Sequence, residues 1–390
     1  MPSVTGTSAS SMTKSRYRAG FATALLCFTV YAITASLGGP SFPDISKTFG
    51  LAAAQIGSIP SVYAIGFAAS LPGGTLSDYV GKKWTFVLGF IVIICGLMLY
   101  SISSSFIFLL AAAFVLGIGA GFFESGMNPY VAELSPEGAV TRLNFLHMFY
   151  GVGTFIGPLL VGFLLLESGD WRISFEVAAV IVGVVLVFSI LISPSGRPGG
   201  KSEGRGFNLQ GFAVLKNSRY LLGLALLIFM IWGLEMAILN WLPYLLRIER
   251  GYGILVASVS LSLYQIFLTV GRANWGFLGR RVGKNTLRLC VASSALALIP
   301  ALMNINLTIT LVSLAVSSFF AAAVVPTVLA LGTNEFAERK GMIAGLLLFC
   351  GNLGGIAFPL IVGWVGQFSS LSYGFLALTI VVFLTALLRL

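Results

Sequence analysis

The sequence predicts an all-α membrane protein of twelve transmembrane helices, arranged as two six-helix pseudo-symmetric bundles. Three observations carry that prediction: an extreme apolar composition, the number and length of the apolar runs, and an internal repeat. Of the 390 residues, 57% are hydrophobic and only 9% charged, with a mean hydropathy of +0.97. A soluble domain carries roughly 25% charged residues, so this chain cannot clothe a water-exposed surface. That excludes a soluble enzyme, a disordered chain and a secreted disulfide scaffold. About 20 apolar residues cross a bilayer, and 390 residues hold a dozen such spans with short connections.

The elements follow in order. Residues 1–17 form a Ser/Thr-rich tail ending in basic residues, predicted to be cytoplasmic. The apolar run behind it imitates a signal peptide, but no small-residue cleavage site follows it, and it reads as the first span. Apolar runs then fall at 18–38, 55–76, 84–103, 106–133, 143–166 and 173–192, the N-terminal bundle of residues 18–192. Residues 193–218 open with SPSGRPGGKSEGRG, the long polar, Gly/Pro-rich stretch expected of a flexible cytoplasmic linker. The C-terminal bundle, residues 219–390, contains runs at 219–246, 255–279, 286–304, 307–332, 341–366 and 371–388. Cys27, Cys95, Cys290 and Cys350 all lie inside apolar runs and read as packing residues.

Charge sets the expected sidedness. Eighteen of the 23 Lys and Arg residues fall on the side that carries both termini; Lys47, Arg172, Arg247 and Arg250 fall on the other, and Arg272 lies within a span. By the positive-inside rule both termini are cytoplasmic. The same bias accounts for the net charge of +10 and a pI near 9.6, which in a soluble protein would point to nucleic acid; no nucleic-acid partner is predicted here.

The halves repeat each other. GTLSDYVGKK (74–83) parallels GFLGRRVGK (276–284), and FYGVGTFIGPLLVG (149–162) parallels FCGNLGGIAFPLIVG (349–363), at offsets of 200 to 202. Parallel six-helix repeats place a binding cavity at their interface near the membrane midplane.

GTLSDYVGKK, between the second and third spans, resembles the loop signature G-x-L-x-D-x-x-G-[RK]-[RK] of the major facilitator superfamily, through Gly74, Leu76, Asp78, Gly81, Lys82 and Lys83. The resemblance implies the major facilitator fold and places Asp78, with Lys82 and Lys83, in a gating latch. There the Asp faces the positive end of the eleventh helix and helps hold the outward-open state. For the lysines the alternative is that they only set topology. The stretch GFFESGMNPYVAELSPEGAVTRLNFLHMFYGVGTFIGP (121–158) further resembles the fucose/glucose–proton symporter family. Those relatives carry an acidic residue four before Asn-Pro, then an Asn-x-x-His stretch before Phe and Gly, matched here by Glu124, Asn144, His147, Phe149 and Gly151. The resemblance implies that Glu124 is the proton-coupling carboxylate and makes Asn144 a substrate-binding candidate. In the first helix, where the fucose transporter has an Asp, SLGGPSFP (36–43) has none, and Asp44 falls at the outer membrane edge.

Other intramembrane polar residues stand on their own chemistry. A charged side chain at the bilayer centre costs roughly 2.5 kcal/mol or more, so Glu124 needs a reason to be there. Its counterpart in the second half is Ala321, an asymmetry that suits a coupling site. The competing reading is a permanently protonated Glu bonded to a neighbouring helix. Asn128 either binds substrate or steadies the kink at Pro129. His147, the single histidine, is either a hydrogen-bonded core residue or a cavity-facing group, as substrate ligand or proton partner of Glu124. One histidine without clustered cysteines or carboxylates cannot complete a coordination shell, so neither metal nor cofactor is predicted. In the second half Asn240, Trp241, Tyr264, Gln265 and Asn352 form the mixture of amides and aromatics that suits sugar hydroxyls and ring faces. Glu235 ranks below Gln265 and Asn352. Trp241 and Tyr244 also read as interface anchors. Arg272 is expected to pair in the gate, and Glu167 and Glu176 either to snorkel to the membrane edge or to form a rim pair with Arg172.

The function expected is secondary active transport: proton-coupled symport of a hexose or related sugar by alternating access. The alternative is a proton-driven exporter of drugs or amphiphiles, favoured by Gly153–Gly162 but opposed by Ala113, which sits where such exporters carry a fourth-helix Arg. No nucleophile–base pair or soluble catalytic domain is visible, so an enzyme is not expected. A monomer in a bacterial inner membrane, binding a small molecule and protons, completes the expectation.

Overall fold

The computed structural model describes residues 14–134, 139–193, 218–278, 284–336 and 340–387. The linker expected at 193–218 lies outside the described residues except at its two ends. Eleven helical segments among the described residues are long and apolar enough to cross a membrane, and the 17-residue helix Leu371–Leu387 follows them. With it the order is that of twelve spans in two sets of six.

Several spans are longer than the apolar runs, and three are broken. The first continues past residue 38. Lys14–Ala35 breaks at Ser36 and Leu37, then Gly38–Phe49 carries the chain on, with Pro40 in its first turn, where a missing N–H costs nothing. The second span divides into Ala53–Phe67 and Ser70–Val80, and the tenth into Leu307–Ala321 and Val324–Glu335. The seventh, Arg219–Tyr244, ends in a π turn at Leu245–Glu249. Asn306, part of a nominal glycosylation triplet, caps the tenth span by accepting the N–H of Ile309 at 2.8 Å.

Helix surfaces are sorted in the manner expected for lipid. On the sixth span, Arg172–Ile192, Val180, Val184, Val187 and Leu191 form an exposed apolar stripe. That is the reverse of a soluble surface helix. Buried hydroxyls such as Thr23, Ser41 and Ser260 donate to the carbonyl four residues back, so each is satisfied within its own helix. Cys27 and Cys290 are buried, Cys350 is partly so, and Cys95 is exposed.

Small residues set the close contacts. Lys82–Ser101 packs along Phe106–Leu134, where Gly96 and Gly119 admit the opposing backbone. A Cβ on Gly119 would lie 2.6 Å from the Ile93 nitrogen, and one on Gly96 2.8 Å from the Leu116 Cα. This interface fixes the rotation of the fourth span, and with it the direction in which Glu124 points.

The halves meet along three seams: the second span against the eleventh (Lys340–Phe368), the fifth (Ala139–Ser168) against the eighth (Ile254–Leu278), and the Gly38–Phe49 part of the first against the seventh. Among the described residues, the side-chain bonds joining the halves lie mid-span or at the face opposite the chain ends. Ser61 donates to the Ile356 carbonyl at 2.9 Å and Ser262 to that of Phe155 at 2.7 Å. At the opposite face Arg247 forms a two-pronged ion pair with Asp44, its Nη2 lying 3.2 Å from Oδ1, while Ser46 and Tyr244 share a bond of 3.3 Å. Toward the face that carries the chain ends, Ser70–Val80 packs on the third and fourth spans of its own half. The halves are therefore locked together at the opposite face and part toward the terminal face.

Candidate functional site

A cavity of about 170 Å³ lies between the halves. The N-terminal half contributes Tyr31, Thr34, Tyr63, Glu124 and Tyr150, and the C-terminal half Trp232, Met236, Asn240 and Asn352.

Glu124 faces this cavity because the glycine-lined third and fourth spans leave no other rotation. Its Oε1 accepts a hydrogen bond from the Tyr31 hydroxyl at 2.9 Å. Tyr31 is itself buried and packs on Phe123, with ring centroids 4.7 Å apart. Phe28 and Tyr150 complete the aromatic wall, at 5.8 and 5.9 Å from the Tyr31 ring. A carboxyl group held by one phenol in an aromatic wall retains a free oxygen toward the cavity. That group can exchange a proton or accept a bond from a ligand hydroxyl.

The tyrosines Tyr31, Tyr63 and Tyr150, and Trp232, were not among the residues singled out from sequence. Inside a span a tyrosine reads as one more aromatic. Its spacing on the first helix, together with the unpaired carboxyl of Glu124, is the signal that could have raised Tyr31.

Of the predicted substrate residues, Asn240 and Asn352 line the cavity with Glu124. Asn240 uses its amide N–H to bond the Met236 carbonyl at 2.8 Å, which leaves its side-chain oxygen as the group on offer. Asn128 is partly buried, and its side-chain oxygen has no hydrogen-bond partner among the described residues. Asn144 is exposed toward the terminal face. His147 packs edge-on against Phe28 at 5.1 Å. Among the described residues no hydrogen bond joins His147 to Glu124; Tyr31 occupies that role.

Trp241 departs from its expectation. Its ring is fully enclosed and its N–H donates to the Pro359 carbonyl at 2.9 Å, tying the seventh span to the eleventh. It is neither on the cavity wall nor at a membrane interface. Tyr264 and Gln265 are buried and are not part of the cavity lining.

The predicted gating residues also pair differently from the expectation. Lys82 bridges Glu133 at 2.8 Å and lies 3.9 Å from Asp78, all within the N-terminal half. Lys83 donates to the carbonyls of Ile190 and Ser193 at 2.8 and 2.6 Å, capping the sixth span. Arg272 pairs with Glu235 at 3.1 Å, from the eighth span to the seventh of the same half. None of these contacts crosses between the halves, because the halves have separated at that face. The pair that does cross, Asp44 with Arg247, was read from sequence only as two residues at the outer edge. The rim pair also differs: Arg172 is 3.6 Å from Asp170, the acid nearest in sequence, and not paired with Glu167 or Glu176. Among the described residues no group of three or more His, Cys, Asp or Glu side chains could hold a metal.

A family model described as the Major Facilitator Superfamily matches residues 24–359. The chain belongs to the major facilitator superfamily. This superfamily member is similar to a "Probable nitrate transporter" of Staphylococcus epidermidis, 24% identical, covering 91% of this chain and 92% of that one. It is also similar to a glucose/mannose transporter of Bacillus subtilis, 22% identical, covering 96% and 92%. Among solved structures it resembles the fucose:proton symporter of E. coli, at 20% identity and a TM-score of 0.64, covering 95% of this chain and 98% of that one. It also resembles an inward-facing, occupied bacterial homologue of the human lysosomal transporter Spinster, at 14% identity and a TM-score of 0.80, covering 96% of each. The solved structures support the fold, and the family makes the chain a multi-pass membrane transporter.

Proposed function

We propose that this transporter carries out proton-coupled symport of a hexose or related sugar by alternating access. The observation that carries the proposal is Glu124: a carboxyl group on the cavity wall, bonded to Tyr31, facing the amides Asn240 and Asn352 and the indole of Trp232. Amides bond vicinal hydroxyls, an aromatic face covers the apolar side of a sugar ring, and one protonatable group couples the load to a gradient. The glucose/mannose transporter of Bacillus subtilis and the fucose:proton symporter of E. coli supply the same class of cargo among similar proteins. In this reading the terminal face is cytoplasmic, the membrane is a bacterial inner membrane, the protein acts as a monomer, and the cavity has been caught open to the inside.

The test is hexose uptake into proteoliposomes with and without an inward proton gradient, comparing the parent with Glu124→Gln. Gradient-driven accumulation should vanish in the variant while exchange of labelled for unlabelled sugar persists. A folded parent protein that takes up no hexose overturns the sugar reading and redirects the test to export of amphiphiles.

A further inference from the structure

Glu235 and Arg272 place a charged pair in the membrane interior, and the coupling scheme above does not use it. Glu235 is buried, and the Arg272 side chain is 30% exposed. A buried ion pair contributes little net stability over an apolar replacement, so its presence is not explained by folding. The pair spends one guanidinium nitrogen, Nη2, on one carboxylate oxygen. Among the described residues the remaining N–H groups of that fork have no partner, and an Arg fork is built to hold an anion by two of them.

The neighbouring half supplies a second donor. Gly151 of the fifth span lies directly against Thr269 of the eighth, so closely that a Cβ on Gly151 would meet the Thr269 hydroxyl. From that contact the two helices run together toward the terminal face. One turn along the fifth span comes His147, and one turn along the eighth comes Arg272. Both are solvent-accessible, and they sit where the halves begin to part. Tyr150, on the cavity wall, stands one turn from His147 along the fifth span.

Two donor groups from opposite halves thus lie one turn beyond the same helix contact, and among the described residues the carboxylate bonded to either of them is Glu235. A single negative group entering from the open face would bridge His147 and the free part of the Arg272 fork. Bridging draws the halves together at the face where they are apart. We propose that His147 and Arg272 form an anion subsite where the fifth and eighth spans part, one turn beyond the cavity wall at Tyr150, so that the preferred substrate carries one negative group. On the sugar reading, on which the substrate's remaining contacts rest, this names a sugar acid: hydroxyls toward Asn240, Asn352 and Glu124, the carboxylate between His147 and Arg272. Glu235 competes with that carboxylate for the guanidinium.

Titration calorimetry of the full-length protein in lipid nanodiscs tests this with three probes: D-glucuronate, D-glucose and nitrate, an anion without hydroxyls. D-Glucuronate should bind at least about tenfold tighter than D-glucose. Glu235→Gln, which removes the competitor, should tighten D-glucuronate several-fold and leave D-glucose unchanged. Arg272→Gln strands Glu235, so the double variant Glu235→Gln/Arg272→Gln serves as the fold-preserving control. It should abolish the preference for D-glucuronate, as should His147→Phe. Equal affinity for the two sugars, or a preference that survives the double variant, overturns the subsite and leaves the sugar reading standing. Nitrate binding that needs Arg272, with neither sugar bound, upholds the subsite and overturns the sugar reading. No binding of either anion overturns the subsite.

Discussion

Breaking the Asp44–Arg247 pair should open the transporter at the face opposite its chain ends. The pair joins the last part of the first span to the end of the seventh, and its two side chains are 23% and 18% exposed. Arg247 also reaches the Pro40 carbonyl at 3.5 Å. The interaction is made only while the halves touch there, so its free energy biases the conformational equilibrium directly. Exposed pairs contribute about 0–1 kcal/mol, and removal of one partner from a fully buried pair costs about 3–5 kcal/mol. For this intermediate exposure about 1–3 kcal/mol is the working magnitude, or a shift of about 5- to 150-fold in the equilibrium. A state open at that face and populated at about 1% would rise to between about 5% and 60%. The assay is labelling of a cysteine placed at Met236, on the cavity wall, in a background lacking Cys27, Cys95, Cys290 and Cys350. A membrane-impermeant maleimide is added from the opposite face to vesicles of known orientation. Arg247→Ala and Asp44→Asn should each speed labelling about 5- to 60-fold, in step with the open fraction, and the exchange Asp44→Arg/Arg247→Asp should restore the parent rate. If Arg247→Ala labels at the parent rate in folded protein, the pair is not a lock and the reasoning fails.

Other perturbations separate packing from binding. Trp241→Phe leaves the Pro359 carbonyl without its donor, a loss of about 1–3 kcal/mol, and should lower the unfolding midpoint while sugar affinity per folded molecule stays the same. A tenfold loss of affinity without loss of stability would return Trp241 to the substrate site. Asn240→Ala and Asn352→Ala should each raise the KM for hexose uptake about tenfold, near 1.4 kcal/mol, measured as initial rates in proteoliposomes. Lys83→Met uncaps the sixth span and should cost about 1.5–3 kcal/mol of stability with the transport rate per folded molecule retained; a rate loss at unchanged stability would restore its gating role. Gly119→Leu should destabilise by about 1–3 kcal/mol or more by overpacking the third and fourth spans, read as a lower unfolding midpoint.

The sequence was a faithful guide wherever the decisive property runs along the chain. Apolar length, the repeat at a near-constant offset and the GTLSDYVGKK motif led to twelve spans in two related bundles. Glu124 stood out because a carboxylate deep inside a 29-residue apolar helix is costly wherever that helix points. The extensions of the first, second and tenth spans were less legible, since Gly and Pro read as loop signals and membrane helices absorb them as breaks.

Partnership was decided by the tertiary structure. Whether Asn240 or Trp241 faces the cavity depends on about 100° of helix rotation, and the contacts that set that rotation involve Pro359, Gly57 and Gly363, distant in sequence. Tyr31 finds Glu124 across 93 positions and Arg247 finds Asp44 across 203. Composition and periodicity fix how strongly each helix belongs in the bilayer, because lipid acts on each helix separately. Register and rotation come from backbones approaching at small residues on two helices at once, and no single segment encodes them.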